Sequence, residues 1–209
     1  MSLKKLSIKM IMALILAGIL LMCSAALAED AHEHVWGEWT EAETGGHIAF
    51  CVAEDGASKT ASHYTASVRI GDITYRVCLI CGDYGDETLP LIADAAAEPI
   101  NANPGTQRGN LVVRGKAHPF ENDPSVVFAF TVCYERDGGL ATFKNQSRVS
   151  FSLRDVELPE GVRLIRVQSS AGDDSVQNPE TWIEMSYEFQ DGVFSFNTKT
   201  PTVYLLIAD

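Results

Sequence analysis

Apolar and polar residues alternate along the last hundred residues of the chain. In the segment RVSFSL, Val149, Phe151 and Leu153 fall on one side of an extended backbone, and Ser150 and Ser152 fall on the other. A period of two residues is typical of a β-strand that buries one face. The same period recurs in several short segments, so the pattern predicts a sheet with one face turned toward a core.

One segment, VVFAFTVCY at residues 126–134, is apolar on both of its predicted faces. One face carries Val126, Phe128, Phe130, Val132 and Tyr134, and the other carries Val127, Ala129, Thr131 and Cys133. A strand with two apolar faces belongs at the centre of a structure that covers both sides of the sheet. We therefore expect a central strand here, with Cys133 as a buried thiol that packs like a small hydrophobic residue.

Short turns separate these strands. Asp191-Gly192 predicts the two-residue turn of a hairpin formed by WIEMSYEFQDGVFSFNT, and Asp137-Gly138 predicts another turn after the central strand. About seven short strands and no convincing helix follow one another between residues 110 and 209. Many short strands at close spacing are typical of a sandwich, so we predict an all-β fold in which residues 110–209 form an antiparallel β-sandwich.

The sandwich segment also resembles a known class of module. RVSFSLRDVELPEGVRLIRV, followed by DGVFSFNTKTPTVYLLIAD, is similar to the Ig-like modules of secreted and surface proteins of Gram-positive bacteria. The resemblance covers roughly residues 143–209. It implies an Ig-like fold that serves as a spacer, a stalk or an adhesive unit rather than as an enzyme.

The chain before the sandwich follows a different pattern. Residues 29–87 are rich in His, Cys, Trp and Gly and poor in long apolar runs, whereas residues 88–109 contain three prolines and read as a linker. A module of this size with so few large aliphatic residues usually needs a metal ion or disulfides to hold its fold. The predicted organisation is therefore a small module at 29–87, a linker at 88–109 and the sandwich at 110–209.

Two cysteines in this small module have the spacing of a metal knuckle. Cys78 and Cys81 are separated by two residues and followed by Gly82, which tolerates the positive φ of a sharp turn. Two intervening residues let both sulfurs converge on one tetrahedral ion. This is half of a zinc site, and the other half has to come from Cys51 and a histidine.

The module resembles a small repeat found in secreted proteins of gut-type Gram-positive bacteria. HVWGEWTEAETGGHIAFC, followed by YRVCLICGDYGDE, is similar to its pattern of His-x-Trp, a lone Cys and a closing Cys-x2-Cys-Gly. The resemblance implies a zinc-ribbon-like fold with structural zinc bound by His34, Cys51, Cys78 and Cys81. The long gap between Cys51 and Cys78 leaves the identity of the histidine ligand open, and His63 and His47 are the alternatives to His34.

Disulfides are the main alternative to a metal, because exported cysteines usually pair. With Cys133 buried in the sandwich, the module is left with three cysteines, an odd number for disulfides but enough with one imidazole for a tetrahedral zinc. Redox chemistry at Cys78 and Cys81 lacks the strand-to-helix setting that activates such thiols. A catalytic zinc is disfavoured because three thiolates weaken its Lewis acidity and the chain has no His-Glu-x-x-His motif.

The tryptophans of the module allow two interpretations. Trp36 and Trp39 could form a platform on which sugars stack, or they could cover the zinc site and supply most of a small core. The second interpretation is favoured because the module has few other large side chains to bury.

The start of the chain has the features of a secretory signal. Three lysines precede an apolar run, and small residues at Ala26 and Ala28 predict cleavage after Ala28. A lipoprotein signal that uses Cys23 and an uncleaved anchor are the alternatives, although Met22 rather than a small residue precedes Cys23. Residues 1–28 are therefore predicted to be a signal peptide, which leaves no membrane span.

The net charge of the chain excludes some classes of partner. The full chain has a formal net charge of −12, and loss of the lysine-containing leader makes the remainder more acidic still. Such a chain repels nucleic acid and anionic lipid. The sequence thus predicts a secreted or extracellular, non-catalytic protein of the bacterial cell envelope that binds an unidentified protein or glycan. A glycan-binding accessory protein is the first alternative, and a metal-dependent hydrolase is the second.

Overall fold

The computed structural model describes most of the chain after the predicted leader. The described residues are 33–43, 45–53, 55–100, 109–141, 145–167 and 182–208. The predicted signal peptide and Cys23 lie outside them. The chain forms two compact units, Met1–Val35 and Trp36–Asp209. Of the first unit only residues 33–35 are described, and these are exposed and have no regular secondary structure.

The second unit is all-β and its strands pair antiparallel, as predicted. Within the described residues no helix occurs, and hence no helix that is long and apolar enough to cross a membrane. The strands in chain order are β1 (Thr40–Glu41), β2 (His47–Phe50), β3 (Ser58–Ala61), β4 (Thr65–Ile70), β5 (Ile73–Cys78), β6 (Ala96–Pro99), β7 (Asn110–Ala117), β8 (Val126–Arg136), β9 (Gly139–Ala141), β10 (Ser147–Ser152), β11 (Arg163–Arg166), β12 (Ile183–Met185), β13 (Tyr187–Gln190), β14 (Val193–Thr198) and β15 (Thr202–Ile207).

Two sheets pack face to face in the second half of the chain. A four-stranded sheet has the order β13-β14-β10-β6, and a six-stranded sheet has the order β12-β11-β15-β8-β7, with β9 beside β8. Phe130 lies at the centre of the core between them. Its ring centroid is 5.2 to 6.0 Å from those of five other rings: Phe128, Phe151, Phe194, Phe196 and Tyr204. The predicted alternation in β10 is confirmed, because Val149, Phe151 and Leu153 are buried in this core.

The other face of the six-stranded sheet is covered by residues 36–89, which we call the front layer. This layer contains the small sheet β1-β2-β3 and the hairpin β4-β5. One hydrophobic cluster joins side chains of the front layer to side chains of the large sheet: Ala66, Val68, Ile70, Val77, Leu79 and Ile80 on one side, and Ala129, Cys133, Ile165, Val203, Leu205 and Ile207 on the other. The front layer therefore shares its core with the sandwich.

Strand β8 is the central strand that its two apolar faces predict. Ten of its eleven residues are buried, and it pairs with β7 on one side and β15 on the other. The predicted alternation is interrupted at its start by an irregular register, in which Ile207 pairs with Val126 and Leu206 pairs with Phe128. Val127 is the extra residue of this bulge, and a bulge reverses the faces of the residues beyond it. Val126 accordingly packs toward the front layer and Val127 toward the sandwich core.

The stretch 88–109, predicted to be a linker, also contributes to the sheets. Leu89 is buried in the front-layer cluster. β6 pairs with β10 and forms one edge of the four-stranded sheet. Proline lacks an N–H group for the ladder, so Pro99 is tolerated on such an edge strand. The prolines of this stretch led to the prediction of a linker. A proline is nevertheless compatible with β6, because β6 is an edge strand.

Both predicted Asp-Gly turns are present. Asp137 and Gly138 connect β8 to β9, and Asp191 and Gly192 connect β13 to β14, all four with positive φ as a two-residue hairpin of type I′ requires. The segment WIEM, predicted to belong to the second hairpin, leaves it. Its strand β12 pairs with β11 in the six-stranded sheet, so the chain changes sheets at Ser186.

The shared core predicts that the front layer and the sandwich unfold together. Val68 is fully buried in the front layer, and replacing it by alanine should cost about 2 kcal/mol of unfolding free energy, because two methyl groups are lost from a packed site. Native-state hydrogen exchange followed by mass spectrometry should show that the slowest amides of β4 and those of β14 lose the same protection.

Val193→Ala is the matched control, because Val193 is 40% exposed and its change should cost well under about 1 kcal/mol. Loss of protection in β4 alone would mean that the front layer unfolds independently of the sandwich.

Candidate metal centre

Four side chains of the front layer bring potential metal ligands together. His47 begins β2, His63 lies between β3 and β4, Cys78 ends β5 and Cys81 lies in the turn that follows. One ligating atom from each lies within 4.8 Å of the others. The Cys78 Sγ is 3.8 Å from the His47 Nδ1, and the Cys81 Sγ is 3.6 Å from the His63 Nε2. The set is two sulfurs and two imidazole nitrogens.

The two cysteines are held by a tight turn. The Cys78 N–H donates to the Asp83 carbonyl at 2.7 Å, and the Gly82 N–H donates back to the Cys78 carbonyl at 3.0 Å. Gly82 has a φ of +79°, as expected from its place after the knuckle, and a Cβ atom there would collide with the Leu89 carbonyl oxygen. Leu79 and Ile80 between the cysteines are fully buried, so the turn is anchored in the core.

Each imidazole ring has a second polar partner outside the cluster. The His47 Nε2 lies 2.8 Å from the Gly138 carbonyl oxygen, which can only accept, so Nε2 carries the proton and Nδ1 presents its lone pair to the cluster. The His63 Nδ1 lies 3.5 Å from the Asp83 Oδ2, which leaves Nε2 facing Cys81. Such outer partners fix the tautomer of metal-binding histidines in many proteins.

The two thiols differ in acidity because they share a proton. The hydrogen bond from Cys81 lowers the pKa of Cys78, burial opposes this, and His47 and the backbone N–H groups of Cys81 and Ile80 add to the lowering. The same hydrogen bond and burial raise the pKa of Cys81. The arrangement therefore stabilises negative charge on the Cys78 sulfur, where a cation would replace the shared proton.

The cluster contains two of the four predicted ligands, Cys78 and Cys81. Its other two members are the histidines considered as alternatives to His34. Cys51 is not a member of the cluster. It lies four residues beyond His47 along an extended segment, so the Cα atoms of the two residues are roughly 13 Å apart. Cys51 is buried and forms a β-bridge with Trp36. His34 is exposed and belongs to the first unit, whereas the whole cluster lies in the second. A single ion held by this cluster would therefore not use Cys51.

Both tryptophans pack in the front layer, and Trp39 lines the metal site. Trp39 is only 5% exposed and packs edge-on against His47 with 4.8 Å between ring centroids. Trp36 is partly buried against the same core. The Lys59 Nζ lies 5.0 Å from the ring centroids of both tryptophans. A sugar needs an open ring face, and the buried ring of Trp39 does not offer one.

The structure leaves the described cysteines without a disulfide and buries all four of them, namely Cys51, Cys78, Cys81 and Cys133. Cys133 behaves as predicted, as a buried thiol whose Sγ donates to the Leu79 carbonyl at 3.2 Å. Burial raises the pKa of Cys133. It contacts the cysteine turn but is not a member of the cluster.

Three groups important to the site were not identified from the sequence. Gly138 and Glu135 come from the sandwich, and the Glu135 carboxylate accepts the N–H of Gly138, the residue whose carbonyl is bound by His47, at 2.6 Å. Arg114 of β7, a strand of the same sheet, donates a hydrogen bond to the cysteine turn. The one available signal was an arginine within the apolar segment LVVRG, because a charge within a buried strand requires partners.

Comparisons with known proteins give no relative for this chain. No protein-family model, no curated protein and no solved structure matches it. The zinc-ribbon-like and Ig-like resemblances therefore stay predictions.

The cysteine turn supplies a test of its own geometry. Gly82→Ala should cost clearly more unfolding free energy than Gly56→Ala, although both glycines have nearly the same φ, +79° and +80°. The shared backbone conformation costs about 1–2 kcal/mol in each variant. Only at Gly82 does the added Cβ meet backbone, because nothing lies within 4 Å of a Cβ at Gly56. Urea unfolding of the two variants measures the difference, and equal losses would contradict the packing described for this turn.

Proposed function

We propose that this chain is an exported, non-catalytic interaction protein of the bacterial cell envelope or its surroundings, with a structural zinc ion bound by His47, His63, Cys78 and Cys81. The observation that carries the proposal is the convergence of four ligating atoms within 4.8 Å, with both imidazoles oriented from outside. This set differs from the sequence-based one by using two histidines in place of His34 and Cys51.

The chemistry of the donors favours zinc. Soft thiolate and borderline imidazole ligands in a four-donor set suit Zn²⁺, whereas Mg²⁺ and Ca²⁺ require oxygen. Two thiolates and two neutral imidazoles balance the charge of one divalent ion, which matters where Cys78 and Cys81 are almost completely buried. Asp83 is held against His63 and is better placed as an outer partner than as a ligand.

A structural role is supported by the closure of the site. Catalytic zinc sites keep one coordination position open for water or substrate, but four protein donors fill a tetrahedral ion. His47, Cys78 and Cys81 are buried, and Trp39 covers one side. These features disfavour the metal-dependent hydrolase considered as an alternative. They support an ion that joins β2, the segment before β4 and the end of β5.

Export and an interaction role rest on the sequence. The lysine-apolar-small pattern of residues 1–28 supports secretion, and the acidic remainder disfavours nucleic acid and anionic membranes as partners. The sandwich, in turn, has the architecture of many cell-surface modules. The partner is a protein or a glycan outside the cell.

The proposal predicts the metal content of the protein. The purified chain should contain one zinc per molecule by elemental mass spectrometry. Cys78→Ser and Cys81→Ser should each lose most of it, because removing one of four ligands weakens the site strongly. Thiol titration under denaturing conditions, with a chelator present, should recover both sulfurs in reduced form.

Cys51→Ser and His34→Ala are the discriminating controls. Both should keep the full zinc content, whereas His47→Ala and His63→Ala should lower it. Zinc loss in the Cys51 variant would restore the ligand set predicted from sequence. Failure to recover the thiols of Cys78 and Cys81 would show that they form a disulfide instead.

Export is tested separately. Expressed from its own start codon in a Gram-positive host, the chain should reach the medium with Glu29 as its first residue, as determined by intact mass. A lipid-modified chain beginning at Cys23, or a full-length chain retained in the membrane, would contradict secretion and leave the metal site untouched.

A further inference from the structure

Arg114 is a buried arginine of the sandwich that contacts the front layer with every part of its guanidinium group. Its side chain is 5% exposed. Nε donates to the Ile80 carbonyl at 2.5 Å, one terminal nitrogen donates to the Leu89 carbonyl at 3.3 Å, and the other donates to the Trp39 carbonyl at 2.8 Å and pairs with the Glu38 carboxylate at 2.6 Å. A planar fork of fixed donors is suited to hold several acceptors at once.

The Ile80 carbonyl belongs to the last of the three peptide groups that connect the two cysteine ligands. A peptide group is planar, and in its trans form the C=O and N–H bonds point in opposite directions. The N–H of this same peptide belongs to Cys81, so the carbonyl that Arg114 holds and the backbone nitrogen of the second sulfur ligand are part of one planar group. Arg114 therefore fixes the orientation of a peptide that lies within the cysteine turn.

We infer that Arg114 is a positioning residue of the metal centre, which holds the Ile80–Cys81 peptide and thereby fixes the spacing of the Cys78 and Cys81 sulfurs toward a bound divalent ion. The inference rests on the proposed metal site. Removing the guanidinium frees this peptide to rotate, so the two sulfurs lose the fixed spacing that a tetrahedral ion requires. The Leu89 contact acts in the same direction, because the Leu89 N–H donates to the Gly82 carbonyl at 2.9 Å and holds the far end of the turn.

The arrangement also makes metal binding depend on the sandwich. Arg114 lies on β7, and Gly138, which orients His47, lies in the turn between β8 and β9. All three strands belong to the six-stranded sheet. The ligands come from the front layer, but the groups that hold the cysteine turn and orient an imidazole come from the sheet beneath.

The test compares metal affinity in Arg114→Lys and in the full wild-type chain, with zinc and a competing chromophoric chelator. Lysine keeps the charge but cannot hold three carbonyl groups together, so the zinc dissociation constant should rise by about 10-fold to 100-fold, the usual effect of losing an outer partner. In the cobalt-loaded protein the thiolate-to-cobalt absorption band should shift, because the two sulfurs take a different geometry around the ion when the cysteine turn is no longer held. Arg148→Lys, at a 44% exposed arginine on the four-stranded sheet, should leave the dissociation constant within about twofold of wild type.

Urea unfolding of metal-free and zinc-loaded forms separates positioning from simple support. Equal destabilisation of both forms with an unchanged dissociation constant would overturn the inference, as would weaker zinc binding without a shift of the cobalt band. If Arg114→Lys does not fold, Glu38→Gln replaces it, since Glu38 is 45% exposed and its change should fold. The zinc dissociation constant of that variant should rise severalfold, and an unchanged value would overturn the inference. Wild-type protein that binds no zinc would instead defeat the proposed metal site itself.

Discussion

The structure depends on a sheet that must be kept from water on both faces. All six residues of β15 and ten residues of β8 are buried, so neither side of the six-stranded sheet can face solvent. The four-stranded sheet covers one side through the aromatic core around Phe130. A sandwich of two sheets would leave the other side exposed, and an apolar surface of that size is costly in water. The front layer exists to cover it.

This requirement explains why the front layer can be poor in large aliphatic residues. On its own, a segment so poor in large aliphatic residues cannot form a core, which is the reasoning that pointed to a metal. In the structure it needs no separate core, because Val68, Ile70 and Val77 pack on a surface supplied by the sandwich. The ion proposed for the cysteine and histidine cluster then has a narrower role. It joins the loops of the layer to one another, while apolar packing joins the layer to the sheet.

The architecture of the sandwich could be predicted because its signals are local. Alternation in β10, the two apolar faces of β8 and the Asp-Gly turns are each read from a few neighbouring residues. The bulge at Val127 and the strand β6 could not be predicted in this way, because both depend on which strand lies alongside. The cysteine turn is local as well, so Cys78 and Cys81 were identified. The choice of histidine was not local: His47 reaches its orienting carbonyl at Gly138 across 91 residues of sequence.

The same distinction explains why the outer partners of the site were missed and why they matter. A ligand set can be recognised by residue type, but its orientation is set by groups with no characteristic type, such as the carbonyl of Gly138 and the peptide held by Arg114. These groups belong to the sheet, and their positions depend on strand pairing over long sequence separations. Such contacts form only after the loops between them close, which is slow and entropically costly. Full orientation of the ligands therefore requires the sheet to be folded, and a metal bound there would stabilise the front layer and the sandwich together.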